Sequence, residues 1–148
     1  MTVKTLLDQQ HYKKPPFCDP KITVFDAAVE IAALDVNALA VVDGETLVGI
    51  ITDHDVLRCL VDSGPGFSTQ LVADWMTKKP VTCTEDTKLT DALKLMAGRG
   101  IRHLPVVEHG RPRTVISSKE LLTRIHEHDE MEISVLRDLA RAGQAAIA

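Results

Sequence analysis

The chain says nearly the same thing twice, and this duplication restricts its fold more than any single motif. Lys14-Pro15 returns as Lys79-Pro80, Cys18 as Cys83, and Asp26-Ala27 as Asp91-Ala92. Leu39 and Val41-Val42 return as Leu104 and Val106-Val107, Thr52 as Ser117, Asp55 as Glu120, and Leu57 as Leu122. Every pair stands 65 residues apart. One match of this kind is cheap, whereas many at a single spacing mark an internal repeat.

Each copy has the same grammar. Val24, Ala27, Ala28 and Ile31, then Leu89, Ala92, Leu93 and Met96, carry a helical period. An apolar run follows (38–42 and 103–107), then the turn signals Asp43-Gly44 and His109-Gly110, then a second run (47–51 and 114–116). A further amphipathic helix closes each copy, on Val56, Leu57 and Leu60 or on Leu121, Leu122 and Ile125. Short lead-in helices are expected at 3–7 and 71–76, with Trp75 and Met76 as core plugs. The Gly- and Pro-bearing stretch 63–69 should break regular structure between the copies. The division expected is 1–64, 65–128 and a C-terminal helical extension or tail, 129–148, with Ile133, Leu136 and Ala140 at helical spacing. A half of some 60–65 residues is marginal alone, so two βαββα halves about a pseudo-twofold axis form the natural unit, of class α/β (α+β).

Composition removes several functions. Aromatics are 3% of 148 residues, too few for a stacking platform that holds single-stranded nucleic acid. A net charge of −4 opposes phosphate-backbone binding as the main task. No stretch approaches a membrane span, and 1–14 lacks the apolar core of a secretory signal. Cys18, Cys59 and Cys83 are odd in number and lack metal-type spacing, and read as reduced, partly buried small residues. No nucleic acid, no membrane and a cytoplasmic location are the resulting expectations. No glycine-rich phosphate loop, nucleophile–base arrangement or metal triad suggests an enzyme. His126 and His128, two apart on a helix, point to different faces, which favours a solvated helix end over a metal site.

The most informative segment is Gly49-Ile50-Ile51-Thr52-Asp53-His54-Asp55, with Thr114 to Glu120 as its counterpart. A hydroxyl opening a helix, with an acid three residues later, is first a capping box. Directly after an apolar strand, the same helix start also offers free N–H groups and a positive dipole end to a phosphate. The acid beside it can accept from a ribose diol.

Each half resembles a cystathionine-β-synthase (CBS) domain, and the two together resemble the paired Bateman module. Gly49 to Leu57, Met76-Thr77-Lys78-Lys79-Pro80-Val81-Thr82 and Arg102-His103-Leu104-Pro105-Val106-Val107 carry the likeness, which spans about 3–128. It implies an adenine-nucleotide sensor with ligands such as AMP, ATP, NAD or S-adenosylmethionine, a disc-like homodimer, and an effector protein not identified by this chain. By resemblance Thr52 meets a phosphate and Asp55 the ribose in a first cleft, with adenine between Pro16, Phe17, Cys18 and the strand Ala38 to Ala40. In a second cleft Ser117 and Glu120 take those places, beside Val81, Thr82 and Cys83 on one side and His103 to Pro105 on the other.

The second copy departs from the first. Thr114 replaces Gly49, and Glu120 replaces Asp55 with a longer carboxylate arm that costs more entropy to fix. The first cleft should therefore bind better. Arg99, Arg102, His103, Arg111, Arg113 and Lys119 are the candidates for phosphate neutralisation, against a solvated surface for Arg99 and Arg111. The alternative function is a structural or interaction module whose clefts are degenerate.

Overall fold

The computed structural model describes residues 1–10 and 14–147, with side chains through 144. Its elements run α1 (Val3–Asp8), β1 (Phe17–Cys18), α2 (Val24–Leu34), β2 (Ala38–Asp43), β3 (Thr46–Thr52), α3 (Asp53–Ser63), a 3-10 helix (Gly64–Thr69), α4 (Val72–Trp75), β4 (Thr77–Lys78), α5 (Leu89–Arg99), β5 (His103–Glu108), β6 (Arg111–Ser117) and α6 (Ser118–Ile147). This is the tandem α+β pair read from the repeat.

The two copies obey the same local rules. Thr23 caps α2 by accepting from the Asp26 N–H at 3.1 Å, and α2 ends on Asp35 in the left-handed region. Gly100 ends α5 in that conformation, where glycine carries no Cβ penalty and Asp is tolerated. β2 and β3 pair antiparallel from Ala38↔Thr52 to Asp43↔Thr46, with an irregularity at Val41/Val42; β5 and β6 repeat the pattern, irregularity included, at Val106/Val107.

They differ at their leading strands. β1 pairs parallel with β2 in a sheet ordered β1-β2-β3-β4, while the second copy reduces this strand to one parallel bridge, Cys83 to Val106. The leading strand of the second half is thus kept only as this bridge, held by the Cys83 N–H on the Pro105 carbonyl at 3.0 Å and the Val107 N–H on the Cys83 carbonyl at 2.9 Å. The 63–69 stretch also differs from expectation. Pro65 near the start of the turn presets φ, and the segment winds as a 3-10 helix instead of an irregular link. Its Phe67 packs on the first core and meets Phe25 edge-on, with ring centres 6.3 Å apart.

The lead-in helices are exchanged between halves. Val3 and Leu6 of α1 lie in the core of Leu89, Met96, Leu104, Ile116 and Leu121. Val72 lies in the core of Val24, Leu39, Val41 and Ile51, with Trp75 and Met76 against it. Backbone bonds tie both in: Val3 N–H to the Thr87 carbonyl at 2.8 Å, and Val72 N–H to the Ile22 carbonyl at 2.9 Å. Each half is closed by a helix that precedes the other in the chain.

Gly49 shows why one strand position tolerates no side chain. A Cβ there would stand 2.5 Å from Met76 Sδ and 2.8 Å from the Thr77 carbonyl oxygen. The thioether can swing aside, but the carbonyl belongs to the β3–β4 pairing. Gly49→Ala is expected to destabilise the fold by about 1–3 kcal/mol. A urea midpoint unchanged from the parent would contradict that packing.

Candidate functional site

Thr52 and Asp55 form a complete capping box at the start of α3. The Asp55 N–H donates to Thr52 Oγ1 at 3.3 Å, and Asp55 Oδ2 accepts from the Thr52 N–H at 3.0 Å and from its hydroxyl at 3.1 Å. Arg58 Nη2 donates to the other carboxylate oxygen at 3.3 Å. Asp55 is only 7% exposed. Its side chain nevertheless lines a cleft of about 360 Å³, together with Thr52.

That cleft is built across the halves. The end of β3 and the start of α3 form one wall (Ile50, Thr52, Asp53, His54, Asp55), and the segments Thr77, Lys79-Pro80-Val81 and Gly100 to His103 form the other. Packing of β6 against β2 and β3 brings the start of β5 opposite α3. Ile50, Pro80, Val81 and Ile101 give an apolar surface; Lys79, Arg102 and His103 bring basic groups to a helix start. Asp53 is held by the Asn37 amide at 3.0 Å and bonds its own N–H to the Asn37 carbonyl at 3.0 Å. His103 has its pKa lowered, first by burial and then by Arg102, against an opposing pull from Asp53.

Of the residues expected at the ligand, Thr52, Asp55, Val81, Arg102 and His103 come together. The same-half pairing does not form the cleft. Ala38 stands opposite Thr52 in the sheet, but Ala38 and Ala40 are fully packed, and Pro16 is buried. Cys83 belongs to the second core and Pro105 is buried, while Phe17 and Cys18 are half-buried and Thr82 is exposed, all outside the cleft lining. Burial pushes the Cys18 thiol up to about 12, with help from Asp19 and Glu30, and the Cys83 thiol to about 11, so both stay protonated packing groups.

The second hydroxyl–acid pair is more open. Ser117 Oγ donates to Glu120 Oε1 at 3.1 Å and accepts from the Glu120 N–H at 3.2 Å. Glu120 is exposed, and its other oxygen accepts from the Gln10 amide at 3.0 Å. The expected cationic cluster also divides. Arg102 and His103 line the cleft, but Arg113 is engaged by Glu85 at 3.0 Å and Arg111 by Glu45 at 3.4 Å, and Arg99 is exposed. Sequence reasoning passed over Lys79, which sits in the cleft with φ 49°, and Arg58, which steadies Asp55. The repeated Lys-Pro was the available signal for Lys79. On α6, His126 and His128 meet Glu130 and Glu132 one turn on, at 3.4 and 2.9 Å. Among the described residues, no helix is long and apolar enough to cross a membrane.

The CBS-domain description matches this chain twice, at residues 11–62 and 72–127. The chain belongs to the CBS-domain family. A relative from Bacillus subtilis, the uncharacterized protein YlbB, is 35% identical over 127 residues, 84% of each chain. Other relatives are longer: the chain spans 58% of CBSX3, a mitochondrial CBS-domain protein of Arabidopsis thaliana, at 34% identity over 77% of its own length. Among solved structures, the CBS-domain pair of protein MJ0100, in complex with 5′-methylthioadenosine and S-adenosyl-L-methionine, superposes with TM-score 0.73 at 25% identity, covering 85% of this chain and 99% of that one. CBSX2 in complex with AMP gives TM-score 0.70 at 25% identity, covering 86% and 98%.

Proposed function

We propose that this CBS pair is a regulatory module that binds an adenine nucleotide in the cross-half cleft and changes conformation without transforming the ligand. The cleft lined by Thr52, Asp55, Lys79, Arg102 and His103 carries this reading. Its volume lies in the range of small-molecule sites. An adenine would rest on Ile50, Pro80, Val81 and Ile101, the ribose hydroxyls would donate to Asp55, and the phosphate would meet the α3 start with Lys79 and Arg102. Adenosine-type ligands on related pairs support the ligand class. AMP, ATP, NAD and S-adenosylmethionine are the candidates, the working unit is a homodimer, and the location is cytoplasmic. Ser117 and Glu120 make a weaker second place, because Gln10 already occupies the carboxylate.

A melting-temperature panel of the four ligands tests the reading. A true ligand at one hundred times its dissociation constant stabilises the fold by about 2.7 kcal/mol. Calorimetry should give one tight site per chain. No shift with any adenine nucleotide at millimolar level leaves a structural or interaction module, and turnover of a nucleotide points instead to an enzyme.

The same geometry sets a pH dependence. With its pKa depressed by burial, His103 is neutral in the folded chain when the unfolded chain begins to protonate near pH 6.5. Stability is full above that pH and falls as the pH drops through it. A bound phosphate raises the His103 pKa, so binding takes up a proton and tightens as pH falls toward 6. Following the His103 ring protons by NMR with and without nucleotide checks both signs; an identical titration in both states counts against phosphate near His103.

A further inference from the structure

The first three N–H groups of α3 are all taken within the protein. The Asp53 N–H donates to the Asn37 carbonyl at 3.0 Å, the His54 N–H to Asp53 Oδ1 at 2.8 Å, and the Asp55 N–H to Thr52 Oγ1 at 3.3 Å. The Asp53 carboxylate thus draws a bond that an anion at a helix start would otherwise use. Its second oxygen accepts from the Asn37 amide at 3.0 Å, which holds the side chain in place. Asp53 is half-buried and lines the cleft. Burial lowers the His103 pKa, and the Asp53 charge acts against that fall from the facing wall.

The scaffold does not require a charge at this place. Ser118 stands where the repeat puts the counterpart of Asp53, and Arg102 where it puts that of Asn37, both 65 residues on. The Ser118 N–H donates to the Arg102 carbonyl at 2.9 Å, the same backbone bond that Asp53 makes to Asn37. A neutral residue therefore serves the fold in the second copy, and the carboxylate of the first acts on the cleft alone.

We propose that Asp53 is a charge filter, through which the cleft takes an adenosine monophosphate in preference to the triphosphate. The inference rests on the nucleotide reading and adds the phosphate count to it. Lys79 and Arg102 attract an anion from the far wall. Asp55 is offset by Arg58 at 3.3 Å, which leaves Asp53 as the carboxylate that opposes them. Two cations against one uncompensated acid match a single phosphate, and each further phosphate adds repulsion from Asp53.

The experiment is calorimetry of the full chain with adenosine, AMP and ATP, without magnesium and at about pH 8, where histidine is uncharged. The parent should hold AMP roughly tenfold tighter than ATP. Asp53→Ser, which copies the residue of the second half, and Asp53→Asn should each raise ATP affinity roughly tenfold and AMP affinity about threefold, with adenosine unchanged. A purely structural role for Asp53 would move all three ligands together. Lys79→Gln should weaken both nucleotides and spare adenosine. ATP held by the parent as tightly as AMP, or D53S and D53N shifting the three ligands alike, overturns the filter and leaves the nucleotide reading standing. The parent comparison needs no variant to fold. A parent that binds none of the three ends the filter and the nucleotide reading together.

Discussion

Asp55→Ala is expected to weaken nucleotide binding on the order of a hundredfold and to erase most of the ligand-induced rise in melting temperature. The ribose contacts attributed to this carboxylate are charge-assisted hydrogen bonds, worth roughly 1.5–3 kcal/mol each. At a ligand level that stabilises the parent by about 2.7 kcal/mol, the variant would gain only about 0.4 kcal/mol. The substitution also removes the acceptor for the Thr52 N–H and hydroxyl and leaves Arg58 unpaired, so the ligand-free fold should lose about 1 kcal/mol. Asp55→Asn separates the two effects, since the amide oxygen still caps α3 while the charge is gone. It should keep most of the stability and lose much of the affinity. Glu120→Ala should leave the affinity within a few fold. Equal losses at Asp55 and Glu120 would place the ligand elsewhere.

Leu6→Ala is expected to lower stability by about 2–4 kcal/mol, although Leu6 lies in a six-residue helix near the start of the chain. Terminal helices of that length normally fray with little consequence. Here Leu6 is 3% exposed and fills the core of the second half beside Leu89, Met96, Leu104 and Leu121. Truncation therefore opens a cavity in a packed interior. For a chain of this size the melting temperature should fall by roughly 10 °C. Lys4→Ala, on the exposed side of the same helix, should change almost nothing. A Leu6→Ala loss below about 1 kcal/mol would mean that α1 is not a structural part of that core.

What the sequence made legible was local and periodic. The 65-residue repeat, the capping residues and the apolar period of α2 and α5 each depend on neighbours a few positions away, and all are present in the fold. The site was legible only in part. Thr52 and Asp55 stand out because a capping box is written in four consecutive residues. Their partners Lys79, Val81, Arg102 and His103 are set by how two sheets stack, and no periodicity encodes that. Pairing each acid with strands of its own half followed the chain, whereas β6 packing on β2 and β3 crosses it. The exchange of α1 and α4 escaped for the same reason. Val3 and Leu6 look like any lead-in turn until their partners at Leu89 and Leu104 are known.

That exchange dictates a schedule for a chain emerging from the ribosome. The body around Leu39 lacks its plug until Val72 to Met76 have been made, so it stays incomplete until synthesis has passed into the second half. Meanwhile α1 waits with Val3 and Leu6 uncovered until Leu121 arrives more than a hundred residues later. Segments far apart in the order of synthesis lock together, and neither half can be cut away, copied alone or fused elsewhere without leaving the other unplugged.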